Sequence, residues 1–390
     1  MLQQLSKVVV RTAEGGREYA DFIEIPYRLH RENPYWVPPL RSQQHESLDT
    51  DKHPFYRRAT RVLFVAYRGN EPVGRIAAIN NPAHCETFEE ACTHFGFFEC
   101  VDDDQVAGAL FAAVHDQARI WGHDRIRGPF SPNVNGELGL QIDAFDKPSF
   151  VMIAYNPPYY QRLVESQGFE RDVDLYCYMI EREKAPQWLL ESGRCLIDAS
   201  ACTFRRLPKA DIHKEAARIW RVYSDAWEKN WLWTKSTHDE FMHLVHELIQ
   251  IVDCDLIYLA ENAQGELVGF SIALPNINEA TIKIRDGRLF PFGFLKLLWY
   301  ARPRRIKSVR FTAMGVLEPY RKQGVHWGLV YLQSMASLDK GYLHAEMSLI
   351  LETNAQMIQV AEAAGGTRYK THRMFVKQLP ERHGPTEELG

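Results

Sequence analysis

The feature that most constrains the fold is a series of landmarks that the chain carries twice, about half its length apart. Val62–Ile79 (VLFVAYRGNEPVGRIAAI) and Leu256–Leu274 (LIYLAENAQGELVGFSIAL) are both apolar strand pairs joined through a Gly/Asn turn, each regaining a Val-Gly pair as its second strand begins. The glycines of those pairs, Gly74 and Gly269, lie 195 residues apart. Further on, Asn156 precedes a helical stretch (Tyr159–Gln167), Gly168-Phe169 and a strand (Leu175–Ile180), while Asn354 precedes a helix (Ala355–Ala364), Gly365-Gly366 and a strand (Arg373–Gln378). These asparagines are 198 residues apart. Two nearly equal offsets in 390 residues argue for an internal duplication. We expect two units, 1–195 and 196–380, and a tail, 381–390.

The units are not equivalent. In the second, Val309–Leu329 (VRFTAMGVLEPYRKQGVHWGL) reads as a strand that ends in a glycine-bearing loop and becomes a helix. Gly324 stands where a backbone must approach a ligand, with Arg321 and Lys322 beside it and the free amides of a first helical turn behind, a cradle for a pyrophosphate. The matching stretch of the first unit, Glu99–Gln105, has four carboxylates and no glycine. Such a start repels a diphosphate but caps a helix over Gln105–Trp121.

Composition narrows the class. At 45% hydrophobic and 12% aromatic, the chain has enough apolar material for two cores. No leader or spanning helix is evident, and seven scattered cysteines suit a reducing cytoplasm. A net charge of −4 gives no reason to expect nucleic acid. Between Ile282 and Arg310, however, nine Lys or Arg surround the apolar run Leu289–Tyr300, against one acid, Asp286. That stretch, centred on Phe290, Phe294, Leu297 and Trp299, is suited to a headgroup interface or to roofing an alkyl channel; a buried helix with solvated basic ends is the plainer alternative.

Other candidates carry less. His84, Cys85, Cys92, His94 and Cys100 match no common zinc spacing, so no metal is expected. Asn33–Leu40 (NPYWVPPL) reads as an extended strap packed across the units. In the polar loop Gly128–Glu137, Asn135 and Glu137 are candidate acceptor contacts, with turn chemistry the alternative.

The run Arg321-Lys322-Gln323-Gly324-Val325-His326 resembles the R/Q-x-x-G-x-G/A signature of the Gcn5-related N-acetyltransferase (GNAT) superfamily, departing only at His326, whose side chain crowds the loop without removing its amides. With the segments YRLHRENPYWVPPL, VGRIAAI, MGVLEPYR, EMSLILETN and YKTHR, the chain looks most similar to the bacterial ceramide synthase-type acyltransferases of that superfamily. The resemblance implies an α/β (α+β) fold of two tandem GNAT-like domains, each a mixed, mostly antiparallel sheet flanked by helices, the first degenerate. It also implies a fatty acyl-coenzyme A donor, a long-chain amine acceptor such as a sphingoid base or its keto form, and a cytoplasmic enzyme peripheral on the inner face of the membrane. Gly315, Val316 and Leu317 would flank the pantetheine, and Arg321, Lys322, Gln323, Gly324, Val325, His326 and Gly328 the diphosphate, with Asn354 leading the next helix.

For the chemistry, period-two alternation sets His344, Glu346 and Ser348 on one face of the following strand, beside the thioester. Glu346 is the first candidate to take the amine proton and Glu352 the second; either could instead be a structural ion-pair partner. The superfamily's frequent tyrosine acid falls near Ala361, which leaves Tyr369 or Tyr320 to replace it. A soluble-amine acetyltransferase, a peptidoglycan-type aminoacyltransferase and a non-catalytic acyl-coenzyme A sensor remain open readings, as does the oligomeric state.

Overall fold

The computed structural model describes residues 7–302 and 304–380; the expected tail, 381–390, lies outside them. In chain order the first half supplies β1 (Val8–Thr12), α1 (Gly16–Leu29), α2 (Arg41–Leu48), β2 (Thr60–Arg68), β3 (Glu71–Asn80), α3 (Pro82–Phe88), β4 (Cys92–Cys100), α4 (Asp104–Trp121), β5 (Arg125–Gly128), the short β6 (Phe130–Ser131), β7 (Glu137–Leu138) and β8 (Leu140–Gln141), α5 (Tyr159–Glu165) and β9 (Glu170–Glu181). The second supplies α6 (Gln187–Asp198), β10 (Thr203–Arg206), α7 (Ile212–Trp227), α8 (His238–Leu248), β11 (Ile257–Glu261), β12 (Leu267–Pro275), α9 (Asn278–Thr281), α10 (Gly293–Tyr300), β13 (Ser308–Val316), α11 (Val325–Asp339), β14 (His344–Leu351), α12 (Ala355–Ala363) and β15 (Thr367–Gln378). Both expected hairpins are present, as β2–β3 and β11–β12.

One sheet runs through the molecule in the order β1-β2-β3-β4-β5-β15-β9-β14-β13-β12-β11-β10, with β8 appended to β15. Its pairs are antiparallel except β4–β5 and β13–β14. The centre of that order departs from a simple tandem. The last strand of the chain, β15, lies beside β5 of the first half, and the last strand of the first half, β9, lies beside β14 of the second. Each sequence half therefore completes the other's sheet.

Helices cover both faces because each brings one apolar stripe. α4, begun by the Asp103 carboxylate accepting from the Gln105 and Val106 amides, buries Val106, Leu110, Phe111 and Val114 in a core that also holds Phe375 of β15. α1 covers the opposite face through Phe22 and Ile25. In the second half α11 and α7 take the corresponding positions. The strap crosses between the halves as expected: Trp36 packs edge-on against Tyr27, and the Arg285 guanidinium of the second half donates to the carbonyls of His30, Arg31, Asn33 and Trp36.

Candidate active site

β13 and β14 pair only from Ser308–Phe311 against His344–Met347, and then part. From Thr312 to Val316 the β14-facing edge of β13 has no partner strand among the described residues, while β12 pairs along its other edge. The chain next makes a 3₁₀ turn over Glu318–Gln323, passes Gly324 at φ 75° and enters α11, whose start no side chain among the described residues caps. A notch with free strand amides thus leads to a helix start with free donors. The Arg321 guanidinium shapes this loop from behind, donating to the Val316 carbonyl at 3.0 Å and the Ala226 carbonyl at 3.3 Å. Lys322 and Gln323 are exposed. His326 is half-buried against Trp327, and burial holds its pKa below the usual histidine range. Val325 is in the core, and Gly328 faces Phe204, so close that a Cβ would sit 2.6 Å from the ring. Asn354 caps α12, its side chain accepting from the Met357 amide at 3.1 Å.

The first half contains the same parting of strands, after Cys92–His94 pair with Arg125–Arg127, but its own chain fills the space. A Cβ on Gly96 would overlap the Phe130 carbonyl, and the Ser131 hydroxyl accepts from the Phe97 amide at 3.1 Å. At the start of α4 the carboxylates are engaged as well: Asp103 by the helix amides and Arg68, Asp102 and Asp104 by Arg162.

A buried polar network lies at the root of the open notch. Glu346 on β14 is fully buried, opposite Arg310 of β13 in the register. Tyr369 of β15 donates to Glu346 Oε2, and Oε1 has no hydrogen-bond partner among the described residues. Arg310 donates to Ser348 Oγ and to the Val151 carbonyl, both at 2.8 Å. A bulge between Arg368 and Lys370 turns both Tyr369 and Lys370 toward this face, and His372 follows, its Nε2 3.0 Å from the Ala154 carbonyl. Burial pushes the Glu346 pKa up, opposed by the Tyr369 hydroxyl and the Arg310 charge, and the same burial pushes Lys370 down and His372 down to about 3.

The remaining expected residues scatter. Glu352 sits beyond a bulge in β14, held by Arg171, the Asp174 amide and the Tyr176 hydroxyl, as an ion-pair partner would be. Tyr320 accepts from Asn262 at the β11–β12 turn. Asn135 accepts from the Tyr223 hydroxyl of α7 at 2.9 Å, which ties the 128–137 loop to the second half. Glu137 is exposed at the start of β7; desolvation by the surrounding protein, with the Glu99 carboxylate second, raises its pKa to about 7. Glu99 itself is held by His30 and Tyr160, each at 2.6 Å.

Around α10, Phe290 is 78% exposed, Phe292 69% and Leu295 61%, and Phe294, Leu298 and Trp299 are exposed too. Leu297 is half-buried instead, on the inward side of this helix of about two turns. Two of the nine basic residues are also not part of the surface frame: Arg310 is buried in the Glu346 network, and Arg285 is taken up by the strap. Arg310, Lys370 and His372 escaped the sequence reading, although a charge in mid-strand between apolar neighbours, as at Arg310, marks an inward polar group.

The chain is 34% identical over 384 residues to "Bacterial ceramide synthase" of Caulobacter vibrioides, covering 96% of this chain and 98% of that protein. It belongs to the bacterial ceramide synthase family. A second member, "Protein YghO" of Escherichia coli, is 32% identical over 380 residues, 95% of each chain. No family model matches the sequence. Among solved structures, a tandem GNAT protein from the clavulanic acid biosynthesis pathway shares the fold over 96% of this chain and 99% of its own, at a TM-score of 0.57 and 11% identity. A GCN5-related glucosamine N-acetyltransferase region of a fungal β-N-acetylglucosaminidase overlays 95% of this chain at a TM-score of 0.55, covering 38% of that larger protein. The family member described here is thus an N-acyltransferase on a tandem GNAT fold.

Proposed function

We propose that the chain transfers a fatty acyl group from acyl-coenzyme A to the amine of a long-chain amino alcohol, a sphingoid base or its keto form, by direct attack in a ternary complex. The observation that carries this reading is the open notch joined to an uncapped helix start, in the second half alone. Pantetheine amides would pair with the free edge of Thr312–Val316, and the amides after Gly324 would take the diphosphate. The acyl carbonyl then lies near the last paired residues, Phe311 and Met347, one position from Glu346.

An ammonium acceptor must lose a proton before it attacks. Glu346 is fully buried while Tyr369 is half-buried, so the hydroxyl relays: it passes its own proton to Glu346 and takes one from the amine. The pair returns that proton to the departing thiolate, and the second amine proton leaves to solvent with the amide product. The apolar strip around α10, with Arg302 and Arg305 stacked on Trp299 at 3.9 and 4.7 Å, would hold the enzyme at an anionic membrane and admit both alkyl chains. No helix among the described residues is long and apolar enough to cross a membrane. All seven cysteines are free, which fits a cytoplasmic enzyme peripheral on the inner face.

The test is mass spectrometry of products after incubating purified protein with mixed acyl-coenzyme A donors and competing long-chain and short soluble amines. N-Acylated long-chain amines formed over many turnovers are expected. Acetylation of short amines alone would overturn the substrate assignment, and binding without turnover would leave a sensor.

A further inference from the structure

Independently of the transfer reaction, the geometry points to a divalent metal site of zinc type in the first half, made by His84, Cys92 and His94. His84 lies on α3 and the other two on β4, so the fold and not the chain spacing brings them together. Their ligand atoms all lie within 4.8 Å of one another, and all three residues are buried, at 1, 1 and 2% exposure.

Three further observations point to a ligand. First, neither ring nitrogen of His94 has a hydrogen-bond partner among the described residues, although the ring is enclosed between Phe130 and His84. A neutral imidazole left so loses a donor and an acceptor, a cost that coordination of one nitrogen would offset. Second, His84 Nε2 is 2.6 Å from a Glu90 carboxylate oxygen. That is the pairing that fixes the tautomer of a ligating histidine, and it leaves Nδ1 for the ion. Third, a cavity of about 20 Å³ opens beside the two rings, walled by Asn81, Asn133, Asn135 and Glu240. It has room for one water-sized group at a fourth coordination position.

Two imidazoles and one thiolate favour zinc over magnesium or calcium. Bonds of about 2.0–2.3 Å place tetrahedral ligands roughly 3.5 Å apart, so binding draws the side chains in by about 1 Å at most. Cys92 binds as thiolate and its proton goes to the buffer; burial disfavours the free anion, the Arg127 guanidinium 3.9 Å from the sulfur opposes that, and the ion itself would supply the remaining charge. The ion would clamp α3 to β4 under the loop that carries Asn135 and Glu137.

The experiment measures metal by plasma mass spectrometry on full-length protein purified with zinc and dialysed, followed by cobalt exchange. Wild type should hold about one ion per chain, and the cobalt form should show a thiolate charge-transfer band. Cys92→Ser and His94→Asn should each cut retained metal at least tenfold and abolish the band. His243→Ala should change neither; it removes the centre of the other convergent group, Glu46, His243 and Glu247. Chelation should speed hydrogen exchange in residues 130–137. Wild type that retains no metal and gives no cobalt band overturns the proposal even if the variants fail to fold. Metal retained undiminished in Cys92→Ser and His94→Asn overturns it equally.

Discussion

At Glu346, burial and its partners act in opposite directions, and the balance sets a measurable pH dependence. In the proposed mechanism the carboxyl acts as the anion, and burial raises its pKa above the ordinary value of about 4.3. The acid limb of kcat is therefore expected above that value and should vanish in Glu346→Gln. That variant should lose about 100-fold in kcat near neutral pH with unchanged coenzyme A affinity, and recover partly at high pH, where more amine is already neutral. Tyr369→Phe removes both the relay and a hydrogen bond that stabilises the anion, so kcat should fall about as far as in Glu346→Gln and the acid limb of the residual activity should move to higher pH, which a pH–rate profile will show. Much of this was legible in the sequence, since alternation alone set Glu346 and Ser348 on one face. Arg310 reads in the sequence as one more surface cation, because the Val151 carbonyl that it donates to in the interior is remote in sequence. Lys370 was invisible because a bulge overrides the alternation on which such readings depend.

Among the elements, the proposed phosphate loop and α10 would separate donor from acceptor functions. Gly324 sits at φ 75°, and the amides after it are uncapped. Gly324→Asp should strain the turn, place a carboxylate against the diphosphate and weaken coenzyme A binding at least tenfold by calorimetry. Reversing Asp103 should leave binding unchanged, because the first-half notch is filled by Phe130 and Ser131. For α10, replacing the exposed Phe290, Phe292, Leu295 and Leu298 with serine should abolish flotation with anionic liposomes and activity on long-chain amines, while sparing coenzyme A binding. Salt should weaken the wild-type association as the Debye length falls to roughly 3 Å at 1 M. The sequence located this strip, but which residues of its short helix face outward depends on how the helix seats on its neighbours.

Across the whole molecule, the duplication was legible from paired glycines and asparagines, whereas the exchange of β9 and β15 was not. Both strands follow their expected helices, and only long-range pairing decides whose sheet they join. Because Phe375 lies in the same core as Leu110 and Val114, the halves should not be stable apart. Residues 1–195 expressed alone are expected to be insoluble, and the full chain to give one calorimetric unfolding transition; two separate transitions would contradict this. The exchange also sets a timetable for synthesis. β5 must await a neighbour encoded roughly 240 residues downstream, an interval of about 12 to 50 s at bacterial elongation rates of about 5–20 residues/s. Throughout it the nascent chain presents a bare hydrogen-bonding edge, so ribosome-associated chaperones have a defined client, and a premature stop anywhere in the second half also deprives the first of its closing strand.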